Sequence, residues 1–506
     1  MAKVAVIGTG VGSLTAAALL ARDGHEILML EQNYLPGGCA SSYYRQGVIF
    51  ESGATTLVGL DVDMPLRYLL AETGINIDKI ELLPSMEVHF SDGERLVRHK
   101  DLELWIKEAE RVFGATGQAA FWRYCHKVAQ FVWSASLRQK GFPPRRLSDL
   151  WSLLKNFRPQ QLWYARLAFW SVESLLKKFN LDKNQKFVDF VNAQLLITAQ
   201  NDYKETNILF GATALCYTNF SNYYVFGGML QLVKPICEYI EAKGGKIEYR
   251  QMVQAVETMP KNSKTQYKII TNKGEFLADM LISGIPLNDT LPLFEPNQEN
   301  KAENNKGNNA KWLSRLRKKL LPSAKLNSAF QLGIHFRRSI LQENKPLHHQ
   351  IHLAEPLPII GGTTIFVSFS HPDDWTRAPL TEGVISVSTH IADPARFQEL
   401  DKDTINKAIL ATLYKHQLLA EADIIYTHSS GAAGWARWTG RRWGFVGGYP
   451  QYIATRPWQM LDARLDGDAA YICGDTTYPG QGIVGVCLSG ILAYEKMKSD
   501  HNLKAN

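Results

Sequence analysis

A chain of 506 residues is long enough for two to four domains, and 45% hydrophobic with 21% charged residues is an ordinary globular composition, which excludes disorder and collagen-like structure. The 56 Lys and Arg against 49 Asp and Glu leave a net +7, too small a surplus at this length for a nucleic-acid binder. Cys39, Cys125, Cys216, Cys237, Cys473 and Cys487 form no C-x-x-C pair, so no metal site is expected and the thiols read as reduced, in a cytoplasmic protein.

Residues 1–8 enter a buried-strand pattern at once, which predicts no export signal. No run reaches the roughly 20 apolar residues of a spanning helix, so any membrane contact is peripheral. The apolar run at residues 4–7 is followed by Gly8-Thr9-Gly10-Val11-Gly12-Ser13 and a helical stretch over 14–22. Strand, glycine turn and helix make a phosphate cradle: Gly8 allows the tight turn, Gly10 the close approach of a pyrophosphate, and the helix start offers free N–H groups. Ser13 replaces the third glycine of the G-x-G-x-x-G pattern and is small enough for helix–strand packing. A second apolar run, 27–30, ends in Glu31, about 20 residues on, where an acid accepts hydrogen bonds from an adenosine ribose. Gln32 and Asn33 follow it rather than an arginine, which disfavours a 2′-phosphate.

Next comes Tyr34-Leu35-Pro36-Gly37-Gly38-Cys39, then Gly47-Val48-Ile49-Phe50-Glu51-Ser52-Gly53-Ala54-Thr55-Thr56. A P-G-G loop behind the ribose acid and a G-x-x-F-[DE]-x-G segment resemble the flavin amine-oxidase superfamily, and within it the phytoene-desaturase, carotenoid-isomerase and retinol-saturase enzymes. Glu51 stands where such enzymes often carry Asp. Residues 225–230, a helix to 241 and a strand over 244–250 resemble the family's G-G-M helix and strand; they lead to Val253, whose backbone is expected to face the adenine. Residues 280–284 are expected to rejoin the flavin domain as a strand. Near the C-terminus, residues 470–490 resemble the family's strand, Gly-Asp and helix. The resemblance implies that FAD is the cofactor, that Gly474 and Asp475 meet its ribityl chain, and that the helix begun by Gly482, Ile483 and Val484 points its N-terminus at the flavin pyrimidine edge.

The segments between these motifs are less specific. Residues 131–180 combine Trp, Leu and Phe with Arg and Lys, which suits either a bilayer's headgroup boundary or a buried helical subdomain with a solvated basic face. Residues 297–311 have the composition of a flexible insertion, and 311–321 form a short basic amphipathic segment. Two such segments tilt the expectation toward peripheral membrane association. Runs at 330–336 and 384–391 read as strands backing a ligand cavity, with His335 and His390 as structural residues. The block 436–450 interleaves Gly with aromatics and either floors a channel for a flat molecule or is a packed loop.

The expected architecture is therefore α/β: a two-domain, FAD-binding Rossmann-like fold with a discontinuous mixed-sheet substrate domain and a helical, membrane-facing subdomain. The FAD-binding domain comprises 1–85, 225–290 and 455–506. The substrate domain comprises 86–224 and 320–454, with the helical part at about 131–180. The implied function is FAD-dependent oxidation of a long apolar polyene, with carotenoid desaturation first. Carotenoid cis–trans isomerisation, retinol-saturase-like reduction and, more distantly, amine oxidation stay open, as does a non-catalytic binding flavoprotein. Thr55, Thr56, Trp443 and Tyr478 are candidates to lie near the substrate. No side chain is singled out as a catalytic acid or base, and oligomeric state is not legible.

Overall fold

The computed structural model describes residues 1–260, 266–295, 309–339 and 345–503. The insertion expected at 297–311 lies, through residue 308, outside the described residues.

Residues 4–7 are buried on both faces, as a continuous apolar run requires. They sit inside a five-stranded parallel sheet ordered Ala470–Ile472, Met280–Ser283, Lys3–Ile7, Glu26–Glu31 and Lys246–Tyr249. Strands from the two ends of the chain thus lie two places apart. The helix Val11–Arg22 is apolar around nearly its whole circumference, because it is enclosed by the sheet and by the helices Leu230–Ala242 and Ile483–Asp500. Its contact with Ile483–Asp500 is close enough to demand glycines. A Cβ on Gly490 would stand 2.2 Å from the Gly12 carbonyl oxygen, and one on Gly12 would stand 3.0 Å from that of Val486. A three-stranded antiparallel meander, Val253–Thr258, Tyr267–Thr271 and Glu275–Ala278, returns the chain to Met280–Ser283.

The second sheet has seven strands, ordered Ile424–Ser430, Asn327–Arg337, Glu382–Ala392, Thr364–Phe369, His348–His352, Met86–His89 and Arg95–Arg98. It is mixed: His348–His352 runs parallel to Met86–His89 and the other neighbours are antiparallel. Helices between residues 102 and 215 pack an aromatic core of Trp105, Phe121, Trp122, Phe187 and Phe190 beside it.

Two stretches read alike in sequence behave oppositely. In the helix Asn309–Arg317, Trp312, Leu313 and Leu316 are buried in the core, with Trp312 edge-on to Phe294 at 5.2 Å. The apolar face of 311–321 is therefore turned inward, which corrects its reading as an interfacial segment. An amphipathic helix fits a protein core and a bilayer surface equally well by pattern. Residues 147–170 instead expose Leu147, Leu150, Trp151, Leu154, Phe157, Leu162, Trp163, Phe169 and Trp170. Among the described residues, no helix is long and apolar enough to cross a membrane.

Candidate functional site

A cavity of about 800 Å³ is lined by the carboxyl ends of the parallel strands and by the mixed sheet. On the first side lie Ile7 to Gly12, Glu31, Gly284 and Asp475, at the point where chain order reverses across the sheet, the usual ligand position in an open parallel sheet. On the second side the wall is a cross-strand row, Gln350, Phe366, Ser388 and Gln331, directly paired in register. The period of two places these side chains on one face.

Of the residues expected at the cofactor, Gly8, Gly10, Gly12, Glu31, Gly37, Gly38, Val253, Gly474, Asp475, Gly482, Ile483 and Val484 all line this cavity. Their geometry suits a dinucleotide. A Cβ built on Gly10, Gly38 or Gly482 meets no atom within 4 Å, so a side chain there would stand in the cavity itself. Gly37, at φ +102°, would place a Cβ 2.5 Å from the Ala40 carbonyl oxygen and tolerates none. The helices beginning at Val11 and Ile483 both start at glycines with no side-chain cap, so their first N–H groups are available to an anionic or electron-rich ligand. Glu31 is fixed by Thr9, whose amide and hydroxyl both donate to one carboxylate oxygen at 2.9 and 2.5 Å, and by the Asn33 amide at 2.8 Å on the other.

Ser13 does not line the cavity. Its hydroxyl donates to the carbonyls of Gly8 (2.8 Å) and Gly10 (2.9 Å), tying the turn together from behind. Glu51 also lies outside it, as a buried clamp between the Ser42 hydroxyl (2.6 Å), the Met229 amide (3.0 Å) and Arg377 (3.2 Å).

Two candidates for the substrate side need correction. Tyr478 packs edge-on against Phe142 at 4.7 Å with its hydroxyl bonded to Ser136, and Trp443 lies beneath the Arg442 guanidinium at 4.6 Å; neither is part of the cavity wall. Closeness in sequence to a cofactor glycine carried the Tyr478 expectation, but its ring is packed against the 118–143 segment instead of the cavity. Thr55 and Thr56 do line the cavity, held by Ser368 (2.9 Å) and His348 (3.1 Å) of the mixed sheet.

The block 436–450, expected either to floor a channel or to be a packed loop, reaches the cavity through Trp438, Arg441 and Val446, whereas Trp435 was not foreseen. Trp435 and Trp438 come from one face of the helix Ala432–Thr439, and the Trp438 indole donates to the Gly38 carbonyl at 2.9 Å. Their i, i+3 spacing was the available signal. His390, expected to be merely structural, faces the cavity and lies 3.2 Å from the Gln200 amide; burial pushes it down to about 4, so it is neutral. Arg441 pairs with Asp475 at 2.7 Å. Burial pushes Asp289 up to about 6, against the Arg442 amide (2.9 Å) and the charges of Arg441 and Arg442.

Away from the cavity, Glu87, His89 and His349 place one potential ligand atom each within 4.8 Å of one another. Arg95, 3.6 Å from the Glu87 carboxylate, and the Lys345 charge beside His349 oppose a cation there.

Residues 14–496 match the family described as flavin containing amine oxidoreductase. The chloroplastic prolycopene isomerase of Daucus carota is 23% identical over 99% of this chain and 80% of its own length. The neurosporene-forming phytoene desaturase of Rhodobacter capsulatus is 26% identical over 51% of this chain and 47% of its own. Among solved structures, cyclohexylamine oxidase from Brevibacterium oxydans superimposes with a TM-score of 0.59 at 13% identity, over 99% of this chain and 98% of its own, a likeness of fold.

Proposed function

We propose, from the premise that this chain belongs to the flavin-containing amine oxidoreductase family and is an FAD-dependent enzyme, that it acts on a long apolar polyene and that its reaction is carotenoid desaturation. The observation that carries this reading is the cavity itself. It joins a glycine-lined dinucleotide cradle to a sheet wall reaching Phe366, in a chain similar from end to end to enzymes named for polyene substrates.

In this reading Gly8, Gly10 and the N-terminus of Val11–Arg22 hold the pyrophosphate, with Ser13 bracing their turn. Glu31 holds the adenosine ribose, and the Val253 backbone faces the adenine. Gly37, Gly38, Gly474 and Asp475 hold the ribityl chain, with Arg441 fixing the Asp475 carboxylate. Gly482, Ile483 and Val484 present uncapped N–H groups to the pyrimidine edge, where negative charge gathers on reduction. The chemistry FAD supplies when bound is two-electron exchange with a carbon–hydrogen bond. Around it, Trp435, Trp438 and Phe366 exclude water and confine a flat chain, while Thr55 and Thr56 hold the 53–56 loop against the mixed sheet. Hydride loss leaves a cation delocalised along the polyene, acidic enough to release the second hydrogen as a proton to a weak acceptor, water or the neutral His390 imidazole, so no strong base is required.

The exposed apolar residues of 147–170, with Lys155, Arg158 and Arg166 among them, form a surface suited to the headgroup boundary of an anionic membrane. The helix Gln118–Arg138, which precedes this surface, contributes Trp133 to the cavity wall. Peripheral docking would thus bring a membrane-dissolved substrate close to the site.

Isomerisation of a polyene double bond is the second reading, favoured by the longer similarity to a prolycopene isomerase than to a phytoene desaturase. Expression in a bacterium that accumulates a partly desaturated polyene separates the two. New, longer-wavelength pigment means desaturation; a changed retention time at unchanged mass means isomerisation. An unchanged pigment profile with FAD-loaded protein present would sink both.

A further inference from the structure

Arg98 is wholly buried, its guanidinium 4.3 Å above the Trp105 ring and 5.3 Å from Phe190. Burial pushes it down to about 10, so it keeps its charge, and no ion pair meets it among the described residues. It donates instead to the Leu215 carbonyl (2.7 Å) and to Oε1 of Gln194 (3.0 Å). Gln194, also wholly buried, donates through Nε2 to Oε1 of Gln350. Gln350 lines the cavity opposite Phe366, and its Nε2 has no partner among the described residues.

The direction of this relay is forced. Arg98 can only donate, so Gln194 must turn its oxygen to Arg98 and its NH₂ onward. Gln350 must then accept with its oxygen and leave its own NH₂ over. Chemistry therefore settles both amide orientations. A buried cation polarises such a chain, so the terminal N–H is a stronger donor than an ordinary amide. Left without an acceptor, this buried N–H also carries a desolvation penalty.

We infer that the substrate carries an acceptor oxygen, a carbonyl or carboxylate at the end of its polyene chain, and that Gln350 Nε2 donates to it, with Arg98 and Gln194 as positioning residues. The inference rests on the polyene reading above and narrows it to an oxygenated polyene. A hydrocarbon would leave the Gln350 donor unmet, whereas an aldehyde or acid meets it with a hydrogen bond from a polarised amide.

The test uses the FAD-loaded protein, titrated with a hydrocarbon polyene and with its terminal aldehyde of equal length. Dissociation constants come from quenching of tryptophan fluorescence, and the aldehyde's absorption maximum is followed alongside. The expected result is tighter binding of the aldehyde, on the order of tenfold or more, with a red shift of its maximum as its carbonyl accepts a hydrogen bond. In Gln350→Leu the affinity ratio falls toward one and the shift disappears. Equal affinities and no shift in the wild-type protein, which needs no variant to read, would overturn the inference and leave water as the partner of Gln350. A shift that survives Gln350→Leu would overturn it as well. If neither polyene binds, it is the polyene reading that fails, and the oxygen inference with it.

Discussion

The sharpest consequence of the cradle geometry is a contrast between two glycines two residues apart. Gly10 has φ −64°, ordinary for any residue, and a Cβ there meets nothing within 4 Å. Gly10→Ala should therefore leave the apoprotein as stable as before or slightly more so, by up to about 1 kcal/mol, since alanine restricts the unfolded chain. The new methyl group would nevertheless stand in the cavity at the mouth of the helix Val11–Arg22 and push a pyrophosphate off its N–H groups. Losing one such charge-assisted bond costs about 1.5–3 kcal/mol, or roughly ten- to hundredfold in FAD affinity. Gly12→Ala acts differently, because its Cβ would stand 3.0 Å from the Val486 carbonyl oxygen and 3.4 Å from Gly474. That clash prises two packed helices apart and should destabilise the fold by about 1–3 kcal/mol. Urea unfolding of the apoproteins and fluorescence titration with FAD read both quantities. Gly10→Ala with undiminished FAD affinity would refute the placement of the pyrophosphate.

Four further outcomes follow from named contacts. Asp475→Ala removes the partner of the half-buried Arg441, so it should lower stability by about 1–3 kcal/mol in urea unfolding and weaken FAD binding at least tenfold by fluorescence titration. Asp289, held at about 6 by burial, lies above its unfolded value of about 3.9, so its ionisation opposes folding. That penalty is absent below about pH 4 and complete above about pH 6, and Asp289→Asn should raise apoprotein stability near pH 7 by up to about 3 kcal/mol while flattening the slope between. Trp151→Glu with Trp163→Glu should lower sedimentation with anionic vesicles at least about tenfold at unchanged melting temperature, whereas Leu316→Glu, in the core, should lower the melting temperature instead. Tyr478→Phe should leave turnover far above the roughly 100-fold loss expected of a missing general acid or base, because Tyr478 lies off the cavity wall.

The parallel sheet was legible because its strands are short apolar runs ending in glycine turns, and a turn that must admit a ligand leaves few choices of residue. Gly8, Gly10, Gly37, Gly38, Gly474 and Gly482 were therefore visible one by one, as was the helix Ile483–Asp500. The opposite wall was not. Gln200, Gln331 and Gln350 come from distant parts of the chain and converge only when seven strands and several helices are in register. A lone glutamine has no local signature, and His390 could not be told from a core histidine without the row that turns it to the cavity. Amphipathic pattern likewise could not distinguish Trp312, which faces the core, from Trp151, which faces solvent. The pattern fixes that a helix has two faces; what covers the apolar one depends on its neighbours.

One anaerobic experiment tests polyene oxidation most directly: the FAD-loaded protein is mixed with a polyene and the flavin and polyene spectra are followed together. Bleaching of the flavin in step with a red shift of the polyene, absent with simple amines, is the predicted result. Bleaching by amines, with polyenes leaving both spectra unchanged, would contradict it.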